Sequence, residues 1–501
     1  MTSAILDCVG LQARLQPDRL AALALQSGRR WTYAQLDRAI AQCARVLVGH
    51  RVGRGDRVAS LGRNRVELIL LHLACARLGA VYVPINWRLS AREVDTLLLD
   101  AQPALLVGDS FLETVEASCP KVSLDDLAGQ IDTATPYECQ GIQQHDPSLI
   151  LYTSGTSGRP KGVLLTEHNI AQTAANFAVL GRVTHRSVFL CDSPMFHIIG
   201  LITSIRPPLQ QGGIILVSDG FEPERTLSRL ADSRLSVTHY FCVPQMANLL
   251  RQQPKFDPAE LHGLTALFTG GAPHPAANIR AWLDDGIAAV DGYGMTEAGT
   301  VFGMPIERDV IAGKAGSVGV PTPGITARIV DAAGLECADG SPGELQLRGA
   351  NICSGYWQRP EETRDAFTPD GWFHTGDIAV RDHEGFYYIV DRKKDMYISG
   401  GENVYPAEVE AALCTMPGIA EVAVVGVPDA KWGEVGHAAV ACLPDTRVTV
   451  KEVSDYLSGR LARYKIPKHV TVLSSLPRTG SGKLRKDELR ALLASPLRAS
   501  P

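Results

Sequence analysis

Tyr152-Thr-Ser-Gly-Thr-Ser-Gly-Arg-Pro-Lys-Gly162 sets four serine and threonine hydroxyls, three glycines and two cations into eleven residues, directly after the apolar run Leu149-Ile-Leu151. Glycine lets successive backbone N–H groups converge on an anion. The hydroxyls add uncharged donors, and Arg159 and Lys161 add positive charge. A loop of this chemistry after a strand suits the phosphates of a nucleotide. It is not a Walker A loop, because Lys161 lies three residues beyond Gly158 instead of directly after a glycine. The alternative for the stretch is a solvated Gly/Ser turn.

Working outward, the first 150 residues alternate helix and strand patterns. Thr32-Tyr-Ala-Gln35 is a capping box that predicts a helix to about residue 48, and Ser90-Ala-Arg-Glu93 predicts another. Short β-rich runs, Arg57–Leu61, Val81–Pro84 and Ala104–Val107, separate them, and the pattern continues through 213–217, 266–268 and 288–290. Strands separated by helices predict layered α/β subdomains with largely parallel sheets. From about residue 315, frequent Gly and Pro predict a small β-rich subdomain. The strand Gly385–Val390 then runs into the charged cluster Asp391-Arg-Lys-Lys-Asp395, beyond which the pattern restarts. The expected division is an N-terminal domain over 1–391, a hinge at 392–395 and a mobile α+β domain over 396–501.

Composition narrows the class. At 501 residues the chain exceeds a single core, and 45% apolar with 21% charged residues is ordinary for a globular protein. A net charge of −5 gives no reason to expect nucleic acid or an anionic membrane. Eleven scattered cysteines without a C-x-x-C pair read as buried reduced thiols. The apolar region Leu68–Ile85, broken by His72 and Arg77, reads as a buried helix and strand, and the N-terminus lacks a signal-peptide pattern. The expectation is a soluble, cytoplasmic protein.

Four more segments complete the motif set: Asp291-Gly-Tyr-Gly-Met-Thr-Glu297, Gly371-Trp-Phe-His-Thr-Gly-Asp377, Ser399-Gly-Gly-Glu-Asn-Val-Tyr-Pro-Ala-Glu408 and Pro477-Arg-Thr-Gly-Ser-Gly-Lys-Leu-Arg485. In this order and spacing, with the first loop, they resemble the core motifs of the adenylate-forming (AMP-binding) superfamily. That superfamily includes acyl- and aryl-CoA synthetases, peptide-synthetase adenylation domains and luciferase. The resemblance covers nearly the whole chain and is nearest to bacterial fatty-acyl and aryl-CoA ligases through Gly400–Glu408.

The resemblance implies a two-step ligase using ATP, Mg²⁺ and coenzyme A. Thr153, Ser154, Gly155, Thr156, Ser157, Gly158 and Lys161 would wrap the β- and γ-phosphates, Thr296 would bond the α-phosphate and Glu297 would hold the metal. Gly271, Ala272, Asp291, Gly292 and Tyr293 would frame the adenine, and Asp377 with Arg392 would take the ribose hydroxyls. Lys483 would bridge carboxylate and α-phosphate during adenylation, and Lys394 sits at the hinge position. For thioester formation Gly400 and Gly401 would line the pantetheine path, Trp432 and Tyr464 would stack the CoA adenine, and Lys465 or Lys468 would meet its 3′-phosphate.

The acid pocket is expected from His197, Tyr240, Val243, Pro244, Gly270, Gly271, Gly294 and Met295. Apart from His197 these favour a hydrophobic acid, and Leu249 stands where malonate-activating relatives carry arginine. A medium- or long-chain fatty acid is the first expectation, and a benzoate or cinnamate the second. An adenylation enzyme that loads a carrier protein, and a luciferase-type oxygenase, share the same first step. Expected partners are the acid, ATP and CoA, with no nucleic acid and no membrane span; a homodimer is left open.

Overall fold

A computed structural model describes residues 7–139, 141–153, 160–444, 446–478 and 484–494. The chain forms two compact units, one of Met1–Ala327 with Leu347–Phe373, the other of Arg328–Gln346 with His374–Pro501. The expected hinge 392–395 lies within the second unit.

The first unit is built on two sheets. One has nine strands, in the spatial order Val320–Pro321, Gly299–Gly303, Ala289–Met295, Ala266–Thr269, His239–Cys242, Val188–Cys191, Ile214–Val217, Leu20–Ala24 and Arg30–Thr32. The other has seven, in the order Gly355–Tyr356, Lys161–Thr166, Pro147–Thr153, Val81–Ile85, Arg57–Leu61, Leu105–Gly108 and Lys121–Ser123. Their centres are parallel, with antiparallel pairs toward the ends. Parallel strands are covered on both faces, which is why they read as short continuous apolar runs.

Both expected capping boxes form. Thr32 caps the helix Tyr33–Gly49 with Gln35 reciprocating, and Ser90 caps Ala91–Ala101 with Glu93. The apolar region resolves into the helix Val66–Leu78 and the strand Val81–Ile85. Among the described residues no helix is long and apolar enough to cross a membrane. The two polar side chains that break the run are accommodated inside the core. Arg77 Nη2 bonds Asp7 at 3.0 Å, and His72 lies 3.7 Å from Glu167. Glu167 also accepts from Arg206 and from Ser148, each at 2.7 Å. Burial works against its charge, yet Arg206, His72 and Ser148 together bring its carboxyl down to about 2. Of the eleven cysteines, all free, six are buried and Cys414 is exposed, so the expectation of buried thiols holds for only part of the set.

A third sheet, most of whose residues belong to the second unit, orders Ile325–Val330, Gly343–Gly349, Phe373–Arg381 and Tyr387–Arg392. A further sheet orders Glu402–Val404, Tyr397–Ser399, Gly433–Cys442 and Ile419–Asp429, with His469–Val472 added in parallel to Gly433–Cys442. Alternation splits the strand Gly433–Cys442 between two cores. Ala438 and Val440 pack with Tyr397 and Val409, while Val435 and Ala439 pack with Leu476 and Leu489. The final helix starts at Lys486.

Candidate active site

Ligands of open parallel sheets gather beyond the carboxyl ends of the strands. Two of the expected motifs, 152–162 and 291–297, fall on strand ends and hairpins of the first unit. The strand Ala289–Met295 turns through Thr296, Glu297 and Ala298 into its antiparallel partner Gly299–Gly303. This tight reversal needs glycine: a Cβ on Gly294 would stand 2.2 Å from the Gly299 carbonyl oxygen, and Gly299 itself has φ +59°. The reversal leaves Thr296 half-buried and Glu297 buried.

Tyr356 Oη donates to Glu297 Oε1 at 3.1 Å, and Lys161 Nζ stands 5.2 Å from the centre of the same phenol ring. A cation of the first motif and a carboxylate of the second are thus joined through an aromatic ring that no motif contains. Burial, and then the Glu297 charge, push the Tyr356 phenol well up, so it stays a donor. Thr153 and Lys161 are register partners on the hairpin strands. The hairpin is moored by Tyr152 Oη, which donates to Asp100 at 2.7 Å; Arg359 pairs with the other oxygen of that carboxylate at 2.6 Å. Ser154, Gly155, Thr156, Ser157 and Gly158 lie outside the described residues.

Thr269 and Asp291 are register partners at the ends of neighbouring parallel strands, so their side chains share a face. Thr269 Oγ1 donates to Asp291 Oδ1 at 2.9 Å and lies 2.9 Å from His274 Nδ1. Burial pushes the Asp291 carboxyl up to about 8 and the His274 imidazole down to about 4. Gly271, at φ +80°, turns the chain between Thr269 and His274, and Ala272 is exposed at that turn. Gly292 and Tyr293 are half-buried beside Asp291, with Tyr293 Oη 3.7 Å from Met295 Sδ.

The residues expected to line the acid pocket do not all lie on one face. Tyr240 has no exposed surface, and its hydroxyl donates to Asp192 at 3.2 Å. Period-two alternation puts the next residue on the opposite face. There Phe241 packs 5.7 Å from Phe177, and its ring lies 3.3 Å from where a Cβ on Gly270 would stand. Half-buried Phe241, and not Tyr240, therefore lies beside Gly270. Val243 and Ile199 flank Gly271: a Cβ added there would stand 3.9 Å from the first and 3.2 Å from the second. Pro244, buried, opens the helix that follows. Ile199 begins a π-helical turn, Ile199–Thr203, a geometry that recurs at functional sites. His197 is half-buried, its ring 4.5 Å from that of Phe196. Asn64 pins the segment before it, donating to the Ser193 carbonyl and accepting from Met195 N–H.

In the second unit Asp377 and Arg392 are register partners, with Oδ1 and Nε 3.1 Å apart. Asp391 and Asp395 are buried, while Arg392, Lys393 and Lys394 are exposed. Lys394 lies 3.6 Å from Asp487 and Asp395 3.2 Å from Arg490, so the C-terminal half of the expected hinge contacts the last helix. Gly400, at φ +62°, lies against Trp432: a Cβ there would stand 2.8 Å from the indole. Gly401 has φ +90° and an open flank. Trp432 is 40% exposed, with Lys431 and Lys468 ammonium groups 5.0 and 4.8 Å from its ring. Lys465 is held by both oxygens of Glu408 at 2.7 Å and lies 5.8 Å from the ring of Tyr464, which is exposed. Lys483 lies outside the described residues.

Sequence reasoning missed Tyr356, Phe241, Thr269 and His274. Strand alternation could have found Phe241; Tyr356 meets Glu297, and Thr269 meets Asp291, only through pairing between distant segments, while His274 returns to Thr269 across the turn at Gly271. No group of three His, Cys, Asp or Glu side chains among the described residues is placed to hold a metal. A single buried carboxylate, Glu297, suits an ion whose other ligands are phosphate oxygens and water, as magnesium prefers.

Residues 11–357 match the family model of the AMP-binding enzyme, and residues 408–483 that of the AMP-binding enzyme C-terminal domain. A feruloyl-CoA synthase of an Amycolatopsis species is 40% identical over 483 residues, covering 96% of this chain and 97% of that protein. A long-chain-fatty-acid–CoA ligase of Mycobacterium tuberculosis is 37% identical over 495 residues, covering 96% of each. Among solved structures, the o-succinylbenzoate coenzyme A synthetase of Bacillus subtilis in complex with ATP and magnesium ion superposes with a TM-score of 0.86 at 31% identity, covering 96% of this chain and 98% of that one.

Proposed function

This chain belongs to the AMP-binding enzyme family, and we propose that it is an ATP-dependent ligase joining a hydrophobic carboxylic acid to coenzyme A by way of an acyl-adenylate. A free carboxylate cannot expel oxide at neutral pH; exchange of pyrophosphate for the acid makes AMP the leaving group instead. The observation that carries this reading is the Lys161–Tyr356–Glu297 arrangement, a cation and a carboxylate held together where a hydroxyl- and glycine-rich stretch of sequence ends. Such a pair suits a polyphosphate and its counter-ion.

In this reading the loop from Thr153 to Lys161 holds the β- and γ-phosphates and Thr296 bonds the α-phosphate. Bound magnesium would neutralise phosphate charge as the transfer proceeds, and Glu297 is the carboxylate that holds it. Gly271, Ala272, Asp291, Gly292 and Tyr293 frame the base, Asp377 and Arg392 take the ribose, and His197 borders the acid. Lys483 steadies the attacking carboxylate against the α-phosphate, for which a compact ammonium is suited.

The second half-reaction calls for other residues. Within the second unit the helix that follows Lys483 packs on one face of the sheet through Leu489, while Tyr397, leading to Gly400, packs on the other. We assign adenylation to the first face and thiol transfer to the second, with Lys394 at the hinge between the two arrangements. Gly400 and Gly401 line the pantetheine path, and Trp432 and Tyr464 offer stacking surfaces. Lys468 meets the CoA phosphate, since Lys465 is already neutralised by Glu408.

For the acid, an apolar lining supports a medium- or long-chain fatty acid. An aryl acid of benzoate or cinnamate size is the second reading, supported by the flat half-buried ring of Phe241 beside Gly270 and by the similarity to a feruloyl-CoA synthase. Pyrophosphate release with ATP and Mg²⁺ over a panel of acids, with and without CoA, tests both. CoA-dependent turnover peaking on fatty acids supports the first and on cinnamates the second. Turnover indifferent to CoA but stimulated by a phosphopantetheinylated protein would replace the ligase with a carrier-loading enzyme.

A further inference from the structure

The hydroxyl of Thr269 has a single proton to share between two partners. It lies 2.9 Å from Asp291 Oδ1 and 2.9 Å from His274 Nδ1, and all three residues are at least 95% buried. Two arrangements of these protons are possible and they exclude one another. In one, His274 Nδ1–H donates to Thr269, whose hydroxyl donates to Asp291. In the other, a protonated Asp291 donates to Thr269, whose hydroxyl donates to a bare Nδ1. Only the first leaves Asp291 an ionised acceptor with its second oxygen available to a ligand.

We propose that His274 is a positioning residue of the nucleotide site, which through the Thr269 hydroxyl holds Asp291 as the acceptor for the exocyclic amino group of the base. This rests on the reading of Asp291 as part of the adenine frame. A guanine would present a carbonyl oxygen where adenine presents its amino group, and a carboxylate held as an acceptor rejects it. A site built to accept an N–H discriminates strongly against a ligand lacking one.

The surroundings leave these three residues to themselves. Burial alone lowers His274, and apart from burial only Thr269 and the Gly292 backbone act on Asp291. The titratable group on the adjoining strand, Cys242, the register partner of Thr269, is a thiol that burial keeps protonated. Burial favours the neutral acid until a base is bound; the amino group of an arriving base selects the carboxylate, and a His274 Nδ1–H that already turns the Thr269 hydroxyl toward Oδ1 supports that form. The second imidazole nitrogen, Nε2, is buried with no partner among the described residues. The geometry therefore enlists His274 through Nδ1.

The test is equilibrium binding of ATP and GTP to the full-length protein, with kcat and KM for ATP, in wild type, Asp291→Ala, His274→Leu and His274→Asn. Asparagine places an amide N–H near the position of Nδ1; leucine keeps the bulk without a donor. The expected result is that His274→Leu weakens ATP about tenfold and narrows the ATP-over-GTP preference. It should also raise KM for ATP with kcat within about twofold, while His274→Asn recovers most of the loss. A wild-type affinity in His274→Leu, or an asparagine variant as poor as the leucine one, overturns the proposal. Wild-type ATP binding in Asp291→Ala would instead remove Asp291 from the nucleotide site, and so separates failure of the underlying reading from failure of the role of His274. If His274→Leu does not melt cooperatively, Thr269→Val against Thr269→Ser makes the same comparison: serine retains the hydroxyl and should retain affinity, and equal losses in both overturn the role.

Discussion

Tyr356 gives its phenolic proton to Glu297 across 3.1 Å, from a two-residue strand that pairs with Lys161–Thr166. The bond fixes one carboxylate oxygen against the phenol. It also places the ring beside Lys161, so one side chain contacts a cation of the first motif and a carboxylate of the second.

Tyr356→Phe keeps the ring and removes only that donor. A hydrogen bond to a charged acceptor is worth about 1.5–3 kcal/mol, so pyrophosphate release at low magnesium should fall about tenfold and recover in part as the ion is raised. Superimposable magnesium titrations for variant and wild type would detach Tyr356 from the metal site.

Asp291 predicts a pH-dependent stability. Burial raises its carboxyl to about 8 in the folded chain, against about 3.9 in an unfolded one. The folded state therefore prefers the protonated form. Stabilisation is complete below pH about 4 and is lost as pH rises through about 8, by at most about 1.4 kcal/mol for each step of one in pH between them. Asp291→Asn, neutral throughout, should gain in melting temperature relative to wild type as pH goes from about 5 to about 8.5 without nucleotide. Parallel curves over that range would contradict the assignment.

The two strand neighbours Tyr240 and Phe241 should behave oppositely. Phe241→Ala enlarges the acid pocket and should shift the preferred acid, read from kcat/KM across the panel. Tyr240→Phe removes a buried bond to Asp192 and should cost about 1 kcal/mol in denaturant unfolding, leaving the order of preferred acids unchanged. A changed order in the Tyr240 variant would restore it to the pocket wall.

Lys468→Ala should raise KM for CoA about tenfold and leave KM for ATP and acid as they were, consistent with one charged contact of about 1.4 kcal/mol. Lys465→Ala should affect CoA less, because its ammonium is already spent on Glu408. An equal rise in both variants would mean the Glu408 pair opens when CoA binds.

Much of the fold was legible along the chain because the signals are local. The capping boxes at Thr32 and Ser90 need only a residue and its neighbour three positions on. The runs 57–61 and 81–85 announce buried parallel strands by composition. The burial of Tyr240 against Asp192, with Phe241 beside Gly270, was not legible, because the pleat decides which face a strand residue occupies. Tyr356 and His274 carried no signal, since a tyrosine after Gly355 and a histidine between prolines are ordinary in a sequence.

By itself, the sequence determined the α/β class, the order of the motifs and the residue types a nucleotide site requires, because periodicity, capping and loop chemistry act between near neighbours. The tertiary structure alone decided which side chains share a space. Tyr356 reaches Glu297 over 59 residues through the pairing of its strand with Lys161–Thr166, and Thr269 reaches Asp291 over 22 through parallel register. Contacts of that range depend on strand order and pleat, which are set when a whole core packs and are written in no single stretch of the chain.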